Sequence, residues 1–477
     1  MQPTSLLFKE NASRALKDAQ LQRALSNVKT GFVTKRAEAR AALPEFDELR
    51  NIATGIKNHV LDHLDIYLEE YERKVIASGG HVHWARDAAE ARSIVLKLCR
   101  EAGAKSVTKG KSMVSEEIAL NAALEADGIE TVETDLGEYI IQLRHEHPSH
   151  IIAPAVHLNR DQIEGDFREK HKTLPEERDL SHPSELVSEA RTMLREKFLA
   201  ADVGITGANF LIAETGSSVI VTNEGNGDLT QLLPRVHIVI ASIEKIVPTL
   251  EDASTILRIL ARSATGQEIT SYTTFSTGPR REHDPDGPQA YHVVLIDNGR
   301  SDMLGTEFHD MLRCIRCGAC LNHCPVYEAV GGHAYGWVYP GPMGAVLTPQ
   351  LIGIHDGAHL PNASTFCGRC QAVCPMNIPL PKMMRHWRER DFAQKPATTA
   401  AKLALRIWAY FATHPAFYRR FADLQGRALS LAAGRKRRFL SLPLARGWTQ
   451  FRDLPAPAPK TFLSQWQDRE RKRMRHD

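Results

Sequence analysis

The chain has 477 residues, 43% hydrophobic and 25% charged, an ordinary balance for a globular protein of two or three domains. No run approaches 18 apolar residues, which excludes a membrane-spanning helix, and the start, MQPTSLLFKENASRALKD, shows neither the apolar stretch nor the cleavage site of a secretory signal. The net charge of +3 hides an asymmetry: residues 401–477 carry 17 Lys+Arg and 5 Asp+Glu, a surplus of +12, which leaves −9 on the first 400 residues.

Residues 1–75 read as helices. Apolar positions recur at helical spacing through FKENASRALKDAQLQRALSNV and PEFDELRNIATGIKNHVLDHLDIYLEEYERKVIASGG, and Gly79-Gly80 ends the run. These helices are expected to dock a partner. Residues 76–297 alternate strand and helix, which predicts an α/β domain. HVHWA (81–85), IETVETDL, HIIAPAV and VHIVIAS (236–242) read as strands, SVTKGKSM as a strand turning into a helix at Ser115, and NFLIAETG with SSVIVTNEG as a hairpin, so the sheet is mixed. Ser115 is the expected N-cap of the helix SEEIALNAALEADG, with Glu116 and Glu117 in its first turn. TLEDASTILRILARSA is a further helix.

Residues 298–392 hold the most specific motif. Cys314, Cys317, Cys320 and Cys324, followed by Pro325, form C-x2-C-x2-C-x3-C-P, and Cys367, Cys370, Cys374 and Pro375 form a second, shorter run. Such runs bind iron–sulfur clusters, the last Cys of each run serving the other run's cluster. By that rule Cys314, Cys317, Cys320 and Cys374 hold one 4Fe–4S cluster, and Cys324, Cys367 and Cys370 hold a second. Aligning the runs on their Cys-Pro ends places Ser364 opposite Cys314. The second cluster therefore has three certain thiolates: it is 4Fe–4S with a serine, water or outside ligand, or it is 3Fe–4S. The 42 residues from Pro325 to Phe366 suit an α-helical two-cluster module rather than a small β-rich ferredoxin. Aromatic residues in GGHAYGWVYPGPMG (331–344) are expected to shield the clusters from water.

Rival readings of the cysteines are weaker. A disulfide scaffold would be short, secreted and dense in Cys throughout, and zinc knuckles do not explain the x2-x2-x3-Pro spacing. Thiolates that bind iron suit a reducing compartment, so the protein is expected in the cytoplasm. Cys99, in SIVLKLC, reads as inert core. In the α/β region, Gly225-Asn226-Gly227 resembles part of a nucleotide loop but lacks the third Gly and opens no clear helix. Glu214 is a candidate nucleophilic carboxylate of the CoA-transferase kind, with a plain turn residue the better reading. Lys109, Lys111 and Ser112 sit at a helix entrance, a place for an anion or simply a cap. No catalytic residue is assignable. Residues 393–477 form a basic tail, with GRKRRF (434–439), RERKRMRHD (469–477) and a linker PAPAPK (455–460). A solvated, partly disordered end is one reading of it; the other, suggested by aromatics among its arginines, is an amphipathic helix that docks a partner or touches a membrane surface, and no nucleic acid is expected.

KSVTKGKSMVSEEIALNAALEADGIETVETDLGEYIIQL (105–143), EHPSHIIAPAVH (146–157), TGANFLIAETGSSVIVTNEGNGDLTQLLPRVHIVIASIEKIVPTLEDA (206–253) and the cysteine runs resemble the LutB family of lactate-utilisation iron–sulfur proteins. The resemblance implies a LUD domain of the NagB/RpiA/CoA-transferase-like α/β class joined to a two-cluster ferredoxin module and a helical tail. It also implies two 4Fe–4S clusters on the cysteines named above. The function it implies is that of an electron-transfer subunit among the partner subunits of a system oxidising L-lactate to pyruvate, passing electrons to a downstream acceptor. An isolated enzyme with structural clusters and a redox-sensing nucleic-acid binder are the alternatives.

Overall fold

The computed structural model describes residues 3–394, 399–442, 446–449 and 452–475. The chain divides into two compact units, residues 1–391 and 392–477. Among the described residues no helix is long and apolar enough to cross a membrane.

Unit one is built on two sheets. Its strands are β1 (His81–Ala85), β2 (Ser106–Gly110), β3 (Glu130–Glu133), β4 (Val203–Thr206), β5 (Phe210–Ile212), β6 (Ser217–Thr222), β7 (Val236–Ser242), β8 (Ile246–Val247), β9 (Tyr272–Ser276) and β10 (Ala290–Ile296). The larger sheet is parallel throughout, in the order β1-β10-β7-β4-β2-β3. Its central strands are continuous apolar runs because both faces are covered. Val95, Leu98 and Cys99 pack under one face. On the other lie Leu68, Tyr71 and Val75 of the helix Leu64–Ala77. The smaller sheet, β8-β5-β6-β9, contains the expected hairpin β5–β6 and is mixed.

The chain leaves β2 for β3 on one side. It then crosses back to β4 and continues outward through β7 and β10. The order therefore reverses between the neighbours β2 and β4. In open parallel sheets such a switch point opens a crevice beyond the carboxyl ends of the strands.

Several expectations require correction. HIIAPAV is not a strand: the segment turns on itself, with Ser149 N–H donating to Pro154 O at 3.0 Å and His150 Nδ1 accepting from Ile152 and Ala153 N–H. Alternation of apolar residues is also what a buried turn shows. The N-cap near Ser115 is Ser112, whose Oγ accepts the Ser115 N–H at 3.2 Å. Gly225 does open a helix, the short Asn226–Leu232. The N-terminal helices are already partnered within the chain. Arg36 Nη2 donates to Val373 O at 2.8 Å, and Arg50 Nε to Cys374 O at 2.7 Å. Phe46, Leu49 and Ala53 share one core with the cysteine module.

The cysteine module is helical, ending in Leu380–Gln394, and Tyr335, Trp337 and Tyr339 of its insert are buried. The longer elements of unit two are the helices Thr399–Thr413, Pro415–Ala432 and Phe462–Arg473, with a short antiparallel strand pair at 438–439 and 454–455. The last two residues of the basic run 469–477 lie outside the described residues.

Candidate functional site

The two cysteine runs adopt the same backbone twice, fifty residues apart. Arg316 and Phe366 have φ of 58° and 54°, and Gly318 and Gly368 have φ of 72° and 78°. Each turn leads into a one-turn helix, Ala319–Asn322 or Arg369–Ala372, and then into Cys-Pro. A left-handed non-glycine residue costs about 1 kcal/mol or more, so its recurrence marks turns held in place by their surroundings. Gly318 is further constrained: a Cβ there would meet Ile152 and His150 at 3.1 and 3.2 Å.

These turns bring Cys314, Cys317, Cys320 and Cys374 around one small cavity, walled by Met343, Met376, Ile378 and Leu380. Cys324, Cys367 and Cys370 stand outside it, near enough to one another that, beyond the dominant effect of burial, Cys367 adds to raising the Cys324 thiol and Cys324 to raising the Cys370 thiol. None of the seven is in a disulfide. Burial, then Cys374, pushes the Cys317 thiol up to about 12; burial, then Cys324, pushes Cys370 up to about 12. Such crowded, desolvated sulfurs are stable as anions only beside a cation.

Backbone N–H groups point at the sulfurs in matching places: Ala319 at Cys317, Arg369 at Cys367, Val326 and Tyr327 at Cys324, Met376 and Ile378 at Cys374. Soft sulfur donors, a dry wall and N–H···S bonds fit an iron–sulfur cluster. The first group is largely buried, whereas Cys367 of the second is exposed. Ser364 Oγ accepts the Phe366 N–H at 3.1 Å and caps its own turn.

A second cavity, of about 520 Å³, opens at the switch point of the parallel sheet. Lys111 and Ser112 line it just after β2, Asp135 after β3, Asn209 after β4 and Lys245 after β7. The loops after β2 and β4 touch there; a Cβ on Gly207 would meet Lys111 O at 2.5 Å. Ile151 and Arg316 line both this cavity and the cysteine cavity, so the two adjoin. Arg316 Nη2 reaches Glu244 Oε1 at 3.2 Å, and its guanidinium lies over the Tyr339 ring, 5.0 Å from the centroid. Burial works to raise the Glu244 pKa, but Arg300 and Arg316 outweigh it and hold the carboxyl at about 2. Burial lowers Lys245 to about 8, with Arg316 adding to the effect. Glu138, also in the wall, is raised well above the carboxylate range by burial, then by Glu133 and Asp135.

Of the residues singled out in the α/β region, the cavity gathers Lys111 and Ser112 only. Lys111 is paired with Asp135. Lys109 is buried in ion pairs with Glu116 at 2.6 Å and Glu133 at 2.7 Å. Glu214 sits exposed in the β5–β6 turn, its Oε2 accepting the Leu250 N–H at 3.3 Å. Cys99 is core. Lys245 and Arg316 were not evident from sequence. Their signals are slight: a Glu-Lys pair directly after an apolar strand, and an arginine between two cysteines.

The LUD domain model matches residues 68–296, the 4Fe-4S dicluster domain model residues 310–378, and the model described as lactate utilisation protein B, C-terminal, residues 381–471. "Lactate utilization protein B" of Bacillus licheniformis is 43% identical over 98% of this chain and 97% of that protein. The protein of the same name from Bacillus subtilis is 43% identical over 97% of this chain and 96% of its own length. The chain belongs to the lactate utilization protein B family. That of Shouchella clausii is 42% identical over 98% of both chains. Membership and the dicluster domain together support a role in lactate utilisation and the presence of iron–sulfur clusters.

Proposed function

We propose that the chain is the iron–sulfur electron-transfer subunit of a system that oxidises L-lactate to pyruvate. The observation that carries this reading is the placing of the two cysteine groups. The buried group adjoins a ligand-sized cavity, and the other reaches the surface through Cys367. Cys314, Cys317, Cys320 and Cys374 are the ligands of one 4Fe–4S cluster, and Cys324, Cys367 and Cys370 those of the second. When bound, such clusters accept and release single electrons. The chain's own residues then set the conditions. Met343, Met376 and Leu380 keep water from the first group, the N–H donors steady its sulfurs, and exposed Cys367 offers a partner access to the second.

Partner subunits supply the lactate chemistry, since removing hydrogen from a 2-hydroxy acid requires a base and a two-electron acceptor. The CoA-transferase alternative is disfavoured by Glu214, which is exposed in the β5–β6 turn and is not among the residues lining the cavity. The test is anaerobic purification followed by iron counting and optical spectroscopy. About eight irons are expected, or seven with a 3Fe–4S second cluster. Dithionite should bleach the protein, and L-lactate only after the partner subunits are added. Bleaching of the lone chain by lactate would place the catalytic site here and overturn the relay reading.

A further inference from the structure

The switch-point cavity holds cationic groups with donors left free. Lys245 is 7% exposed, lines the cavity, and its ammonium makes no hydrogen bond or ion pair with any described residue. Beside it, Arg316 spends Nη2 on Glu244, while its Nη1 is buried with no partner. The local charges do not balance. Glu244 and Glu117 already serve Arg300, which is fully buried between them, and Glu244 serves Arg316 as well. Arg300, Arg316 and Lys245 thus share two carboxylates behind the cavity lining, with the Cys314 sulfur a further negative group acting on Lys245 and Arg316. A desolvated, unpaired ammonium is costly unless an anion meets it. The opposite wall differs: Asp135, Glu138 and Glu224 line it.

We propose that this cavity binds a small molecule by an oxyanion, carboxylate or phosphate, held between Lys245 and Arg316, with hydrogen-bond donors on its far end turned toward Asp135, Glu138 and Glu224. The inference rests on the electron-transfer reading only in naming what lies beyond Arg316. A volume of about 520 Å³ is in the range of cofactor and metabolite pockets. Its place at the switch point between β2 and β4 is where open parallel sheets bind their ligands. The competing account makes both cations counter-charges to the thiolates of the first cysteine group. Cys314 does act on both cations, and Arg316 walls that group's cavity; Lys245, however, lines only the larger cavity, where its ammonium is open to a ligand.

The experiment is calorimetric titration of the iron-replete full-length protein with four probes: L-lactate, pyruvate, inorganic phosphate and flavin mononucleotide. At least one should bind at millimolar concentration or below. Binding of the first two identifies a carboxylate ligand, and binding of the last two a phosphate. Lys245→Met should weaken that probe about ten- to a hundred-fold, as the loss of a charged hydrogen bond does, and Lys245→Arg should restore most of it. Ala208→Phe, which adds bulk to the cavity lining and leaves both cations in the chain, should abolish binding, and it keeps the test open should Lys245→Met fail to fold. Failure of all four probes to bind overturns the inference. So does Lys245→Met that leaves binding intact while shifting the midpoint potential of the buried cluster. Iron content and dithionite reduction, measured on the same samples, report on the electron-transfer reading separately.

Discussion

Arg300 and Glu117 form a two-pronged ion pair, Nη1 to Oε1 at 2.9 Å and Nη2 to Oε2 at 2.7 Å, with neither side chain exposed. Tyr339 from the cysteine module donates to the same Oε2 at 2.7 Å, and Arg300 Nε reaches Glu244 Oε2 at 3.1 Å. One carboxylate thus ties the helix after β2 to the segment after β10 and to the insert between the cysteine runs. Removing one partner leaves the other charge buried and alone. Arg300→Met should therefore cost about 3–5 kcal/mol of stability. Urea titration of the iron-replete protein checks this; a loss below about 1 kcal/mol would show the network to be dispensable.

The crossed ligand sets make a prediction that separates the runs. Cys374→Ala should remove iron from the site of Cys314, Cys317 and Cys320, although it lies in the other run. Cys324→Ala should deplete the site of Cys367 and Cys370. Electron paramagnetic resonance of the reduced variants distinguishes a buried from a solvent-exposed centre. Each variant losing the cluster of its own sequence neighbours would rule out crossing.

Ser364 occupies the position of Cys314 in the repeated turn, yet its hydroxyl is engaged with the Phe366 N–H. It acts as a turn cap, and losing such a bond costs about 1 kcal/mol. Ser364→Ala should keep its full iron content and show at most a small drop in melting temperature. Loss of the second cluster's signal in this variant would instead make the serine oxygen a ligand.

Much of this site was legible because its chemistry is written locally. Cysteine spacing fixes which sulfurs one tight turn can present, and the Cys-Pro ends gave the register that puts Ser364 opposite Cys314. The parallel strands were legible as apolar runs for the same local reason. The large cavity was not, because it is assembled by topology. Lys111 and Lys245 are 134 residues apart and meet only where the strand order reverses. Lys109, two residues from Lys111, is held in a closed set of carboxylates; strand alternation alone would put both on one face, but Lys111 lies past the end of β2 with a left-handed φ of 55°, which its sequence does not announce. HIIAPAV misled because a buried turn under a cluster loop needs the same apolar residues as a strand.

His237 on β7 makes stability depend on pH. It is buried, its Nε2 2.8 Å from the Thr206 hydroxyl, and burial lowers its pKa from 6.5 to about 3. Between those values the unfolded chain binds a proton that the folded chain refuses. Stability is therefore intact above pH 6.5 and falls as the pH drops through that window, by up to about 5 kcal/mol for a shift of this size. His237→Gln, which retains a polar partner for Thr206, should flatten the slope between pH 6 and pH 4 by about one proton. Denaturant midpoints of both proteins across that range provide the measurement; parallel slopes would exclude His237 as the source.

The tail differs from the rest of the chain in having its apolar residues outside. In Thr399–Thr413 no residue is buried, and Leu403, Ile407, Trp408 and Tyr410 are each more than half exposed. Phe417, Tyr418 and Phe421 on the next helix are at least half exposed as well. Exposed aromatic residues within a segment carrying a +12 surplus have the character of a surface that would suit an acidic partner, a reading that truncation tests. The cysteines all lie in unit one, which ends at Asp391. Deleting residues 401–477 should therefore leave iron content and dithionite reduction unchanged. It should abolish lactate-dependent bleaching in the reconstituted system and growth on L-lactate. Replacing Trp408, Tyr410 and Phe417 by serine in the full chain should weaken the same coupling at unchanged iron content. A truncated protein that still couples to its partner subunits would show that they dock elsewhere, with the exposed second cysteine group the next surface to test.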